Sequence, residues 1–443
     1  MTARPRLRRH CGETAAVALA AAALPLVVLL AAAPSRAGGV GAIDAPHPIV
    51  ERSLDGTALV FVSHRGAARA AVRVVVHVGG DDDPPGRAGL ADMTAHAVLQ
   101  GTYDMQHGAL FRLADRAGGA LGVEVTPDAT VFSLDVPSAG AIEVLAPLLK
   151  TVTAPALPFV DLERVRLIAG ATDVEQAPLS RAGWAARQVA FPSGHGGLVL
   201  IGSAETRRGV TIDEVTSFYQ RHYLPARLTV IVVGDVDEEE LRRTVDRGLH
   251  GAPLLAPPRE TERRRANVPS EASGKGRRTL AVSAAVIDGE PDAGCFAAAR
   301  VLELRLRRHL GRGDATMETH VGCDAAFGHA LVTVAARSSS PAASTLPEAV
   351  REVRRTARSR KVTAGERSQV AALVVDAHRS ALATPAGLAA LLLAAARGGT
   401  PLEQAAAPAL RPPRLDWQGA AQVLAAVGDD RRAVEVAFSP FTR

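Results

Sequence analysis

Apolar, β-branched runs at residues 57–63 and 70–78 predict two strands near the start of the regular pattern. Residues 79–86, Gly-Gly-Asp-Asp-Asp-Pro-Pro-Gly, break it as a loop. The acidic triple 81–83 is expected to be solvated there, because adjacent carboxylates do not converge on one ion. From Gly89 the spacing turns helical: Ala, Met, Leu and Val dominate up to Gly101, with Pro85 ahead. A second helix is predicted over 105–117, closed by Gly118-Gly119. Strand signals follow over 123–136, with Thr126-Pro127-Asp128-Ala129-Thr130 inside them. Helices are predicted over 139–152 and 162–174. A helix, a Tyr223-Leu224-Pro225 turn, an apolar strand 228–233 and Gly234-Asp235-Val236-Asp237 come next. Glu238 starts a helix running to about residue 249, with Asp237 as its N-cap.

Residues 251–278, with Pro253, Pro257, Pro258, Pro269 and Gly274 among many charges, predict a linker. Beyond it the pattern gives a strand at 280–287, a helix at 293–310, strands within 321–337, helices at 346–358 and 369–396, and a closing strand at 432–438. That order weakly repeats the first half. The organisation expected is a leader over 1–37, a first domain over 38–250, the linker, and a second domain over 279–443. The arginine-rich 346–358 helix and Arg263-Arg264-Arg265 read as solvated surfaces.

The length of 443 residues, with 47% hydrophobic and 22% charged content, suits a globular chain with ample core. Aromatics are scarce at 3%, and the abundance of Ala and Arg over Lys reads as coding bias. Residues 1–37 look like an export leader: a basic start, an uncharged apolar run over 14–34, and Ser35-Arg36-Ala37 at the cleavage position. The run is also long enough to span a bilayer, so an uncleaved anchor is the rival, and the membrane enters only in that case. Cys11 precedes the apolar run and is not a lipoprotein cysteine. The leader holds five arginines and one acid, so about +1 of the whole-chain +5 remains outside it. The basic pI therefore does not argue for nucleic acid, and the aromatic interleaving of a single-strand binder is missing.

The candidate chemistry sits on the helix from Gly89. Asp92 and His96 stand four apart and share a face. The stretch Gly89-Leu90-Ala91-Asp92-Met93-Thr94-Ala95-His96, followed by Gly101-Thr102, resembles the zinc helix of the pitrilysin–insulinase–mitochondrial processing peptidase family. That family reads Gly-Leu-Ala-His-x-x-Glu-His and then Gly-Thr. Two imidazoles four apart hold zinc from one helix face, and the Glu before the second takes a proton from the zinc-bound water. Here Asp92 stands for the first His and Ala95 for the Glu, and only His96 remains. The segment Glu163-Arg164-Val165-Arg166-Leu167-Ile168-Ala169-Gly170 resembles the one that carries the third ligand, and Gly170 falls at its place. The Asp128-Ala129-Thr130 strand and the block 218–237, ending Gly-Asp-Val-Asp, match the same family.

The resemblance implies an α+β fold of two related domains, each a mostly antiparallel sheet backed by helices. It implies a non-catalytic, insulinase-like subunit of the two-domain bacterial type. The expected partner is an active zinc peptidase subunit, with which it would close a chamber around a peptide. No catalytic residue and no metal are expected. Zinc enters only if the chain is an active metallopeptidase with an atypical site, Asp92 and His96 then holding it weakly. A free-standing envelope binding protein is the other alternative. Export to the periplasm or cell envelope is expected. Partner-type subunits of the family often supply an Arg and a Tyr from the second half. Arg305 falls near the Arg position, but no Tyr exists there, so the role is not carried over. No His pair three or four apart, no Cys-x-x-Cys, no Gly-x-Ser-x-Gly and no P-loop occur. His195, on a Gly-rich stretch, reads as a surface residue. Cys295 and Cys323 are the cysteines outside the leader. An oxidising compartment permits their bridging, but two buried free thiols are the expectation.

Overall fold

Two sheets of closely similar topology organise the protein. The computed structural model describes residues 47–440 apart from 54, 170–178, 193–201, 203, 250–263, 277, 312–315, 341–343 and 399. The leader, Gly170, His195 and most of the linker's first part therefore lie outside the described residues.

The first half runs β1 (Ile49–Arg52), β2 (Ala58–Ser63), β3 (Arg69–Val76), α1 (Leu90–Val98), α2 (Ala109–Arg116), β4 (Ala120–Val125), β5 (Thr130–Pro137), α3 (Ala141–Thr153), α4 (Leu162–Ile168), α5 (Ala182–Ala190), α6 (Ala204–Arg208), α7 (Ile212–His222), β6 (Leu228–Gly234) and α8 (Glu238–Leu249). Its six-stranded sheet has the order β1-β2-β6-β3-β5-β4, with β2 and β6 parallel and the other pairs antiparallel. The second half runs β7 (Ser270–Gly276), β8 (Thr279–Asp288), α9 (Ala293–Leu310), β9 (Glu318–Ala326), β10 (His329–Ser338), α10 (Leu346–Thr356), α11 (Ala364–Leu382), α12 (Pro385–Arg397), α13 (Leu402–Ala409), α14 (Trp417–Val427) and β11 (Ala433–Pro440). Its sheet has the order β7-β11-β8-β10-β9, with β7 and β11 parallel and the other pairs antiparallel. Five strands of the first sheet, β2-β6-β3-β5-β4, repeat that order and polarity.

Both faces of each sheet are covered, which explains the near-continuous apolar strands. Along β3, Val72, Val74 and Val76 join one core with α1, α3 and α7, while Ala71 and Val75 join another. That other core contains Leu388, Ala389 and Leu392 of α12 and Leu402 and Ala406 of α13. Reciprocally, Ala182, Ala185 and Ala186 of α5 pack on Leu280, Val282, Ala284 and Val286 of β8. Each half thus lends a helix to the other half's sheet. Ion pairs cross in the same places: Arg187 with Asp81, Arg181 with Glu124, Arg397 with Asp128, and Arg52 with Glu403.

Four expectations need correction. The supposed linker contains strand β7, which pairs with β11 through main-chain hydrogen bonds that Ser-Glu-Ala-Ser-Gly-Lys-Gly can make without any large apolar side chain. The single helix expected over 369–396 is two, α11 and α12, bent by 113°. Thr384 caps the second through the Gly387 amide at 3.1 Å, and Pro385 occupies its first turn. Residues before 109 do not extend α2; Thr102 and Met105 pair with each other instead. Cys295 and Cys323 are joined in a disulfide, their Cα atoms 6.1 Å apart, which staples α9 to β9. Helices α5, α6, α13 and α14 and strand β1 had no reading in the sequence. Among the described residues no single helix is long and apolar enough to cross a membrane.

Candidate functional site

Helix α1 is held at its start by the acidic triple, which is not a solvated loop. The buried Asp83 carboxylate accepts from the amides of Gly89 at 2.6 Å and Ala91 at 2.7 Å, satisfying donors that a helix start leaves open. Gly89 itself has φ +94°, a conformation that favours glycine. Asp82 accepts from the Gly79 amide at 2.8 Å, and Asp81 pairs with Arg187 of α5. Burial pushes Asp83 up to about 7, against the pull of its two amide hydrogen bonds.

Asp92 and His96 do share a face, with His96 Nε2 3.8 Å from Asp92 Oδ1. Asp92 is buried, at 5% exposure, and its Oδ2 has no hydrogen-bond partner. Burial raises its pKa, while the charges of His96, Arg207 and Arg181 pull it down. His96 is partly open to solvent. Ala95 is fully buried and belongs to the main core of the first half. Helix α1 packs on α4 and α7. Ala169 caps α4, and Gly170 beyond it lies outside the described residues.

The residues around Asp92 were not legible in the sequence. Arg207, buried in the short helix α6, donates to the Gly202 carbonyl at 2.9 Å. Gly202 packs against the Ala88 carbonyl at the start of α1, so close that a Cβ there would sit 2.2 Å from it. Tyr223 is buried near Asp92; burial above all raises its pKa, and the Asp92 charge adds to that. Tyr223 appeared in the sequence only as part of a turn, and nothing linked Arg207 to a helix more than a hundred residues earlier.

A zinc centre does not fit the described residues. Asp92 and His96 supply two donors, Ala95 offers no base, and no group of three or more His, Cys, Asp or Glu among the described residues is placed to hold a metal. Arg305 does not reach out to a partner either. It is buried and bonded to Glu366, with Nε 3.0 Å from Oε1 and Nη2 3.1 Å from Oε2.

Comparison with known proteins agrees with the motif reading. A family model described as insulinase (peptidase family M16) matches residues 59–185, and one described as peptidase M16 inactive domain matches residues 209–276. The chain is 27% identical over 236 residues to an uncharacterized zinc protease of Mycobacterium leprae, covering 51% of this chain and 53% of that one. It is 24% identical over 204 residues to the beta subunit of the mitochondrial-processing peptidase of Blastocladiella emersonii, covering 45% and 43%. The chain thus spans about half the length of the curated relatives it matches. Among solved structures, a protease from Helicobacter pylori superposes with TM-score 0.75 at 15% identity, over 89% of this chain and all of that one. The peptidase M16 inactive domain from Pseudomonas fluorescens superposes with TM-score 0.71 at 16% identity, over 89% and 98%.

Proposed function

The chain belongs to the insulinase family of peptidases, and from that premise we propose that it is a non-catalytic member, a structural half of a peptide-binding chamber whose other half carries zinc. The observation that carries the proposal is the state of α1. The family frame Gly89, Leu90, Gly101 and Thr102 is kept, whereas the base position is an alanine sealed in the core and the first ligand position is a buried aspartate. Loss of a general base alone costs about 10²–10⁴ in rate, and loss of the metal removes the activated water as well. What remains is scaffold. The partner is an active family subunit, and the compartment is the cell envelope, supported by the leader-like residues 1–37.

Co-expression with an intact paralogue from the same genome tests this reading. A stable complex and a raised peptide turnover of the paralogue are expected, while the protein alone binds no stoichiometric zinc and cleaves no peptide. No complex and unchanged turnover would overturn it. The naming of one relative as a zinc protease favours a second reading, an active metallopeptidase with an atypical site. Equimolar zinc with chelator-sensitive cleavage, abolished by His96→Ala, would establish that reading instead.

A further inference from the structure

Strands β7 and β11 of the second half correspond to β2 and β6 of the first by their place in the sheet and their parallel pairing. The two pairs are covered differently. In the first half α8 follows β6 and packs on α3, and residues 58–62 of β2 are buried throughout. Among the described residues no helix follows β11, and Glu271, Ser273 and Lys275 alternate along β7 as exposed positions. On that uncovered side, where β7 and β11 end and α10 begins, lies a cleft of about 540 Å³. That volume is within the range of small-molecule sites.

The lining of the cleft is one-sided in charge. Ser273 and Lys275 of β7, Thr279 of β8 and Ser439 of β11 line it from one face of the sheet. It is the face on which Ser283 of β8 meets Arg354 of α10. Lys275 Nζ donates to Ser439 Oγ at 3.1 Å, and among the described residues no carboxylate pairs with it. Thr279 is buried, at 4% exposure, and its hydroxyl makes no hydrogen bond among the described residues; it opens on the cleft. Ser344 and Pro347, at the start of α10, form the other wall. Thr345 at the N-cap gives α10 no side-chain cap bond, whereas Thr211, Thr363 and Thr384 cap α7, α11 and α12. The first-turn amides of α10 therefore keep a partial positive charge that no capping oxygen answers. Glu348, the acid of that turn, is engaged by Arg351 at 2.9 Å. Among the described residues that line the cleft there is no carboxylate. The equivalent corner of the first half, where β6 ends and α3 begins, is lined instead by Glu143, Asp235, Asp237 and Glu240. The topology is shared and the charge is opposite, so the fold does not dictate the lining.

We propose that this cleft binds a small organic anion, a carboxylate or a phosphate monoester, whose oxygens accept from the Lys275 ammonium, the Thr279 hydroxyl and the first turn of α10. An ammonium and hydroxyls are donors that an oxyanion can use together, and charge assistance makes such bonds strong. A cleft of this volume holds more than the anionic group, and Pro347 and Ala437 meet the carbon part. None of these residues is among those around Asp92, so the inference stands apart from the pairing with a zinc-bearing subunit.

Calorimetric titration of the purified protein tests it with three probes that share one ring: phenyl phosphate, benzoate and the uncharged benzyl alcohol. At least one of the two anions binds, about tenfold or more tighter than benzyl alcohol. Which of them binds better shows whether the cleft takes phosphate or carboxylate. Lys275→Met keeps the side-chain length and removes the charge, and about a tenfold loss of anion affinity is expected. Thr279→Val keeps the shape and removes the hydroxyl, with an expected loss of about fivefold. Lys150→Met, at an exposed lysine paired with Asp104 elsewhere on the surface, leaves the affinity unchanged. Thermal melting checks that the three variants fold. No binding of either anion, benzyl alcohol bound as tightly, a Lys275→Met or Thr279→Val variant that binds like the parent, or an equal loss in Lys150→Met would overturn the proposal.

Discussion

Arg397 of α12 grips Asp128, 269 residues earlier in the chain, through Nε at 2.9 Å and Nη2 at 2.5 Å. The pair closes the helix lent by the second half onto the turn between β4 and β5 of the first. Burial acts to raise the Asp128 pKa, but the Arg397 hydrogen bonds and charge, helped by Thr126, outweigh it and hold the carboxyl below its usual range. A depressed carboxylate adds stability that is present above the unfolded pKa of about 4 and is lost as pH falls below it. Arg397→Ala and Asp128→Ala are expected to cost about 1–2 kcal/mol each at pH 7, a value discounted for partial solvent access. The double variant should cost less than their sum, and the penalty should fade as acid protonates the depressed Asp128 carboxyl. Denaturant melts of the four proteins at two pH values check this; additive losses would contradict it.

Asp83 titrates the other way. Its pKa of about 7 lies above the unfolded value, so its contribution is fully present below about pH 4 and is lost as pH rises through 7. Asp83→Asn keeps an acceptor for one of the α1 amides and removes the titration. The variant is expected to flatten the fall in unfolding free energy between about pH 4 and 7, by an amount on the order of 1–4 kcal/mol. An unchanged pH profile would show that the carboxylate is ionised throughout.

Ala95→Glu restores the family's base in name only. Ala95 is fully buried, and without a metal beside it the new carboxylate enters the main core of the first half. A loss of about 1–3 kcal/mol is expected, with no peptide cleavage in added zinc. Retained stability together with zinc-dependent turnover would show that the site needs only its base.

The disulfide closes a loop of 28 residues between α9 and β9. Denatured, unreduced protein should show no free thiol other than Cys11, and Cys295→Ser with Cys323→Ser should cost about 3–4 kcal/mol in the chain-entropy view. Two further thiols on titration would sink the bridge.

Much of α1 was legible because its signals are local. Gly89, the apolar spacing and Gly101 delimit it, and the four-residue spacing of Asp92 and His96 sets their shared face whatever surrounds them. The same holds for α9, whose predicted bounds agree with the structure, and for Asp237, whose carboxylate accepts from the Glu240 amide at 2.8 Å. The break at Thr384-Pro385 was written just as locally, as a cap followed by a first-turn proline, but the apolar run across it masked the stop.

What the chain determined by itself was its helices, its buried strands and the family frame, because periodicity, caps and turn residues act over a few positions. Tertiary structure alone decided the rest. Strand β7 exists because β11 offers its backbone, and no side-chain pattern announces it. Helices α5 and α12 serve the opposite half's sheet, which no reading of their own segments reveals. Arg207 came to lie against the Asp92 site, and Arg397 on Asp128, from far along the chain. Burial and charge compensation depend on which distant groups arrive, and only folding settles that.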